Sequence, residues 1–304
     1  MNTTTTTTTI AMAVAVAMLC ISCCWTVFVV IRTGRPASPS SAKTIESSQD
    51  LVIVSSHFDE DIRWLEEARV PTVVCSKTMR SPHCEVGTNR GREASAYLRF
   101  IVDNYDWLPG HVAFVHGHRH AWHQRHGADI LDLIQDCAQY RRYGFVPLNN
   151  TFIDDRDSKN HAMRNVLGVW DTLFRPYLER DPPKHLLHDC CAQFIVSRHR
   201  IRAHPIEAYR HWLDFTTKTS SPFPDDDIMN GLVFEYVWHV IFGEPDVVRK
   251  RDVQKRFAGC DDHRRLRKRV GGGADGTTGR PASRSVGMMV ISSGEPRVGL
   301  PPRV

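Results

Sequence analysis

The sequence predicts an α/β fold: a single, mainly parallel sheet flanked by helices and preceded by one transmembrane helix. Two observations predict the sheet. Short apolar runs rich in β-branched residues alternate with segments of helical periodicity, which is the pattern of repeated strand–helix–strand units. Polar residues that could carry chemistry follow directly after these runs. A third observation predicts the membrane helix: Ile10–Ile31 contains no charged residue.

The first half of the globular region alternates regularly. Its apolar runs predict strands at Leu51–Ser55, Pro71–Ser76 and His111–His116. The periodic segments predict helices at Asp59–Ala68, Gly91–Tyr105 and Asp129–Arg141. The carboxyl ends of parallel strands share one edge of the sheet, so the loops after the three strands should lie together there.

The second half is less regular. Its pattern predicts a helix at Ala162–Tyr177, a strand at Gln193–Ser197, and helices at Pro205–Phe215 and Ile228–Phe242. The last helix is apolar nearly all round, which predicts burial.

Composition divides the chain into five parts. They are a Thr-rich start (1–9), the uncharged segment (10–31), a Ser/Pro-rich stem (32–49), the globular domain (50–257) and a basic, disordered tail (258–304). The uncharged segment is long enough to cross a hydrocarbon core of ~30 Å. The residues before it lack the positive charge of a signal peptide, which favours an uncleaved membrane anchor.

The orientation of the anchor has evidence on both sides. Arg32 and Arg35 follow it and no charge precedes it, so the positive-inside rule alone would leave the domain cytosolic. The sequon Asn149-Asn150-Thr151 predicts glycosylation of Asn149 and, with the stem, favours a domain facing the lumen of the endoplasmic reticulum or Golgi.

Net charge argues against a nucleic-acid partner. The chain carries +5, and the tail from Ala258 onward supplies all of it, with nine basic and four acidic residues. The remaining domain is neutral, whereas a nucleic-acid binder should carry a basic stripe on its folded part.

Five cysteines lie in the predicted domain: Cys75, Cys84, Cys137, Cys190 and Cys191. None has zinc-finger spacing. In a lumen they could form one or two disulfides, whereas in the cytosol they would be small buried apolar residues.

Histidines crowd the loop after the third predicted strand. They occur at His116, His118, His120, His123 and His126. Side chains alternate along an extended segment, so the first three should point to one side. His116 and His118, with His239 or a carboxylate, could hold zinc or manganese. Alternatively they cap loop carbonyls or face water, and the last two are predicted to lie on the surface.

The other two loops at this edge contain acidic and basic side chains. Asp59 and Glu60 could accept hydrogen bonds from a nucleotide or act as catalytic carboxylates, although such residues also simply stabilise helix starts. Asn89, Gly91 and Arg92 open a helix whose free N–H groups favour a diphosphate. An ordinary capped helix would look the same in the sequence.

Two residues on the buried last helix form a predicted pair. Glu235 and His239 are four apart and so share a helical face. They could be a general base and the group that orients it, or a satisfied core hydrogen bond. Arg198, after the fourth strand, could contact a phosphate or merely end the strand.

Five blocks in order resemble the family called domain of unknown function 3431. They are SHFDEDIRWLEE, NRGREASAYLRFIVDNYDWLP, FVHGHRHAWHQ, CCAQFIVSRHRIRAHPIEAY and the run from Glu235 to Glu244. The layout is also similar to nucleotide-sugar transferases of the A-type fold. Those enzymes usually present Asp-x-Asp where this chain reads His116-Gly117-His118.

The similarity to nucleotide-sugar transferases implies transfer of a sugar from a nucleotide-sugar donor to a glycan or small acceptor, with a divalent metal (manganese or zinc) as a possible cofactor. Two alternatives stay open: a non-catalytic metal- or glycan-binding domain tethered to a membrane, and a metal-dependent hydrolase.

Overall fold

The computed structural model of the chain describes residues 49–78, 81, 84–125, 128–156, 162–217 and 227–260. The strands are β1 (Leu51–His57), β2 (Thr72–Ser76), β3 (His111–His116), β4 (Phe145–Pro147), β5 (Phe152–Asp154), β6 (Leu187–Asp189) and β7 (Phe194–Ser197). The α-helices are α1 (Arg92–Asn104), α2 (Ile130–Asp132), α3 (Ala162–Val169), α4 (Arg175–Leu178), α5 (Arg198–Ile201), α6 (Ile206–Thr217), α7 (Asp227–Glu235), α8 (Trp238–Ile241) and α9 (Lys250–Lys255).

The main sheet is mixed, so the prediction of a single, mainly parallel sheet is wrong. Its five strands lie in the order β2-β1-β3-β7-β4. The strands β2, β1 and β3 are parallel, whereas β7 runs antiparallel to both β3 and β4. A second, two-stranded sheet pairs β5 with β6. The apolar run Phe194–Ser197 indicated a strand, but an apolar run does not encode strand direction.

Both faces of the main sheet are buried. In β1, Val52 and Val54 pack into one apolar cluster with α1, α6 and α7, while Leu51 and Ile53 pack into a second cluster on the opposite face. Side chains alternate along a strand, so a strand covered on both faces needs an apolar run without polar interruption. The apolar run Leu51–Val54 meets this need, and the polar residues Ser55, Ser56 and His57 at the carboxyl end of β1 are buried as well.

Three predicted helices differ in extent. Asp59–Ala68 contains only a 3₁₀ helix, Arg63–Glu67, although Leu65 does pack against the sheet. The helix predicted to reach Arg141 ends as a π-helix at Leu133–Cys137. Ile228–Phe242 is interrupted between α7 and α8, where Val237 has φ −122° and ψ −8°.

The described residues contain no helix that is both long and apolar enough to cross a membrane. The predicted anchor Ile10–Ile31, the predicted stem and residues 261–304 lie outside the described ranges. Cys260, predicted to belong to the disordered tail, is buried in the second apolar cluster.

The six described cysteines form three disulfides: Cys75–Cys84, Cys137–Cys260 and Cys190–Cys191. The sequence predicted at most two, because Cys260 had been assigned to the tail. The third disulfide joins two residues that are adjacent in the sequence, a pairing that the number of cysteines does not indicate.

Candidate functional site

An open cleft lies at the carboxyl ends of the parallel strands. The chain passes from β1 to β2 on one side and then to β3 on the other, and the cleft opens where the strand order changes direction. Ligands of open α/β sheets bind at such a point. The cleft encloses about 410 Å³ and is lined by Ser56, Phe58, Glu60, Lys77, Asn89, Arg92, Glu93, His116, His118 and Ile228.

Glu60 is held in a fixed position by the turn after β1. Its Oε2 accepts a hydrogen bond from the backbone N–H of Phe58 at 2.7 Å. Burial opposes ionisation, but the N–H groups of this turn and the imidazole of His118 outweigh it and lower the pKa of the Glu60 carboxyl. Glu60 is therefore a carboxylate at neutral pH.

The close approach of Glu60 to the histidine loop requires Gly117. A Cβ atom there would lie 2.7 Å from Glu60 Oε2 and 3.0 Å from Glu60 Cβ. The glycine lets two loops from neighbouring strands meet. The carbonyl of Gly117 accepts a hydrogen bond from the indole N–H of Trp64 at 2.8 Å.

His116 and His118 both line the cleft, in line with strand alternation, but their surroundings differ. The Nε2 atom of His116 is buried and has no hydrogen-bond partner. Burial lowers the pKa of His116 to about 4, so the ring is neutral at neutral pH. The side chain of His118 is 59% exposed, and its Nε2 lies 3.9 Å from Glu60 Oε1. His120 instead lies 3.9 Å from Asp129.

The helix α1 supplies the opposite wall of the cleft. It begins after Gly91, which has φ 68° and no side-chain cap, and Arg92 itself has φ 49°. Asn89, Arg92 and Glu93 line the cleft, whereas Gly91 is buried against Thr216. The wall thus combines an uncapped helix start and a guanidinium with one carboxylate.

A buried polar network lies beneath His116. The backbone N–H of His116 donates to Gln193 Oε1, and Gln193 Nε2 donates to Asn149 Oδ1. The same Asn149 oxygen accepts from His123 Nδ1 at 2.8 Å. The sequence did not indicate Gln193 as a site residue, because its neighbours in the chain are those of any residue at the start of a strand.

This network corrects two predictions. His123 was predicted to lie on the surface but is 7% exposed. Asn149 was predicted to carry a glycan, yet it is fully buried and its amide donates to Cys190 O at 2.7 Å. The folded site therefore has no room for a sugar on Asn149. His126 lies outside the described residues.

Several predicted residues lie away from the cleft. Asp59 is exposed and does not line it. Arg198 lies at the other end of β3, where its Nη1 donates to Leu108 O at 3.0 Å. The reason is the direction of β7: Ser197 pairs with His111 at the start of β3, so Arg198 follows at the amino end.

Glu235 and His239 line a second, smaller cavity instead of the cleft. They do not pair as predicted. Glu235 Oε1 accepts from the backbone N–H of Cys191 at 2.8 Å, and His239 stacks on His188 with ring centroids 4.4 Å apart. Burial, and then the charge of Glu93, raise the pKa of Glu235 to about 7.

The described residues bring metal-ligand atoms together in two groups of three. One is Cys190, Cys191 and Glu235; the other is Asp154, Asp155 and His185. Neither contains His116, His118 or His239. The predicted three-histidine metal set is therefore not assembled in this structure, because His239 faces the smaller cavity.

We expect the buried histidines to make folding pH-dependent. Because the unfolded pKa of His116 is near 6.5 and its folded pKa is about 4, its contribution is complete above pH 6.5 and is lost as pH falls towards 4. Lowering the pH from 8 to 5 should cost about 2 kcal/mol through this residue. Urea unfolding of His116→Gln at both values should show a pH difference smaller by that amount.

His188→Gln is the matched variant. Burial also lowers the pKa of His188 to about 4, but this ring lies in the smaller cavity. Its replacement should reduce the pH difference similarly. An unchanged pH difference in His116→Gln would show that this ring takes up its proton in the folded state.

A family comparison supports the resemblance seen in the sequence blocks. The model of the family described as "Protein of unknown function (DUF3431)" matches residues 52–257. The chain belongs to this family. The matched range of the DUF3431 domain includes every residue that lines the cleft. No curated protein and no solved structure matched the chain.

Proposed function

We propose that this DUF3431 domain binds a nucleotide-sugar in the cleft and transfers the sugar to an acceptor hydroxyl. The observation that carries the proposal is the position of His116, His118, Glu60 and Arg92 around one cleft at the point where the strand order reverses. The volume of about 410 Å³ falls within the range of about 300–1,000 Å³ typical of small-molecule sites.

The α1 wall suits the diphosphate of a donor. Backbone N–H groups at a helix start and a neighbouring guanidinium both favour a phosphate. Arg92 and Lys77 line the same cleft. Positive groups positioned in advance would stabilise the charge that develops on a departing diphosphate.

The β1 and β3 loops suit the acceptor side. Glu60 is ionised and its Oε1 lies 3.9 Å from His118 Nε2, beyond hydrogen-bond distance. Contacts between a general base and the carboxylate that orients it are often long without substrate and shorten when it binds. In this proposal His118 takes the proton of the acceptor hydroxyl. Asp59 and Glu235 do not line the cleft, so neither has a role in this proposal. Their predicted roles as catalytic carboxylates stay predictions.

A divalent ion fits this cleft only with few protein ligands. Glu60 and His118 are the residues that would hold it, as an alternative to their roles as orienting carboxylate and base, and oxygens of a bound diphosphate would complete the shell, as is usual for magnesium- and manganese-type sites. Such an ion would neutralise charge on the diphosphate.

The predicted location of the domain, facing the lumen of the endoplasmic reticulum or Golgi, stays a prediction.

A thermal-shift screen tests the proposal. We expect one class of nucleoside diphosphate sugar, with or without manganese, to raise the melting temperature of the full-length chain. At about 100 times its dissociation constant a ligand stabilises by about 2.7 kcal/mol, which corresponds to roughly 5–10 °C for a domain of this size.

Two arginine variants provide the matched comparison. Arg92→Gln should remove most of the shift, whereas Arg198→Gln, at the opposite end of β3, should leave it unchanged. Release of free nucleoside diphosphate on addition of acceptors would separate a transferase from a domain that only binds. A screen in which no donor stabilises the chain would contradict the proposal.

A further inference from the structure

The disulfide between Cys190 and Cys191 lies in a turn whose backbone makes three hydrogen bonds to other parts of the fold. Cys190 N–H donates to Thr151 O, Cys190 O accepts from Asn149, and Cys191 N–H donates to Glu235. Cys191 has φ 71° and Ala192 has φ 44°. Left-handed backbone at two successive non-glycine residues is unfavourable and persists only where surrounding contacts enforce it, often at functional sites.

The side chains around this turn form a set of metal ligands. One ligand atom from each of Cys190, Cys191 and Glu235 lies within 4.8 Å of the others. Two sulfurs and one carboxylate oxygen match the ligand preferences of zinc. As a disulfide the sulfurs cannot act as thiolates, so the set is available only after reduction.

The adjacent cavity provides a second, independent observation. It has a volume of about 20 Å³, enough for one water, and Cys190, Glu235, His188 and His239 all line it. His188 is 2% exposed and His239 is 4% exposed, yet His188 Nε2 and His239 Nδ1 have no hydrogen-bond partner. Buried polar atoms normally have one, so these nitrogens indicate a missing polar occupant.

We propose that reduced Cys190 and Cys191, together with Glu235, bind a zinc ion whose fourth ligand is a water in the cavity beside His188 and His239. The disulfide is the metal-free form, which makes the site redox-gated. Three protein ligands and one water form the usual open zinc site.

The chemistry balances with a small thiol such as glutathione as reductant. Two thiol molecules reduce the protein disulfide to two cysteine thiols and leave as one small-molecule disulfide. Zinc then displaces the two thiol protons and forms two zinc–sulfur bonds. This site is separate from the proposed donor cleft, and its test needs no nucleotide-sugar.

Zinc binding by the full-length chain tests the proposal. It is measured at pH 8 by competition with a chromophoric chelator, after the reductant has been removed under nitrogen. The reduced protein should bind one more zinc ion than the oxidised protein. Cys190→Ser/Cys191→Ser should lose that ion, whereas the matched variant Cys75→Ser/Cys84→Ser should keep it. Loss of an outer-shell partner alone costs about 10–100-fold in affinity, so Glu235→Gln should weaken binding at least about tenfold.

Alkylation of the wild-type protein gives a readout that does not depend on variants folding. Zinc should protect Cys190 and Cys191 of the reduced protein from alkylation, as seen by peptide mass spectrometry, and should leave the alkylation rate of the buried Cys75 and Cys84 unchanged. Equal zinc binding by the reduced and oxidised proteins, or alkylation of Cys190 and Cys191 at the same rate with and without zinc, would overturn the proposal.

Discussion

Removing the disulfide Cys137–Cys260 should lower the free energy of unfolding by about 5 kcal/mol, the largest effect expected for any single cross-link here. Its cysteines are 123 residues apart, so the bond restricts a long loop of the unfolded chain. It also joins the π-helix after α2 to the segment after α9, and both cysteines lie in the second apolar cluster. The measurement is urea unfolding of Cys137→Ala/Cys260→Ala.

Cys75→Ala/Cys84→Ala is the control, because that disulfide spans only nine residues. The same loop-entropy relation gives about 2.5 kcal/mol for it. The two double variants should therefore differ by about 2 kcal/mol. Equal losses would mean that local packing at each site, and not the length of the restricted loop, determines the effect.

Gly91→Ala should lower the free energy of unfolding by about 2–5 kcal/mol, since the cost of a left-handed alanine and the cost of overpacking add. The backbone at Gly91 is left-handed, with φ 68°, and an added Cβ would lie 2.5 Å from Thr216 Cβ in α6. Relief of this overlap would move the start of α1, where Arg92 enters the cleft. We therefore expect weaker donor binding together with the loss of stability.

Gly87→Ala separates the two costs. Gly87 has nearly the same backbone, with φ 71°, but nothing lies within 4 Å of its added Cβ. It should lose only about 1–2 kcal/mol, the cost of a left-handed alanine. Chemical denaturation of both variants provides the comparison, and equal losses would show that the contact with Thr216 relaxes freely.

The sequence predicted the part of the site that depends on local pattern. Apolar runs and helix periodicity identified β1, β2, β3 and α1, and the rule that ligands bind at carboxyl ends brought Glu60, Asn89, Arg92, His116 and His118 to one edge. All five line the cleft. The shared edge was predictable because side-chain alternation is local and a strand–helix–strand unit pairs its two strands in parallel. The functional roles of these five residues stay predictions.

The rest depended on contacts between distant segments, which one sequence does not reveal. Arg198 was assigned to the wrong edge because the direction of β7 is set by its pairing with β3. Glu235 and His239 were expected to pair from their helical spacing, but the interruption between α7 and α8 and the approach of Cys191 give each a different partner. The burial of Asn149 likewise depends on its partners His123 and Gln193.

Hydrogen exchange tests the central claim most directly, with the nucleotide-sugar that stabilises the chain most in the thermal-shift screen. We expect slower exchange in three separate segments, 57–61, 89–93 and 116–118, since these surround the cleft, and no change around Arg198. Protection confined to the smaller cavity at 188–192, or to the amino end of β3, would show that the cleft is not the donor site.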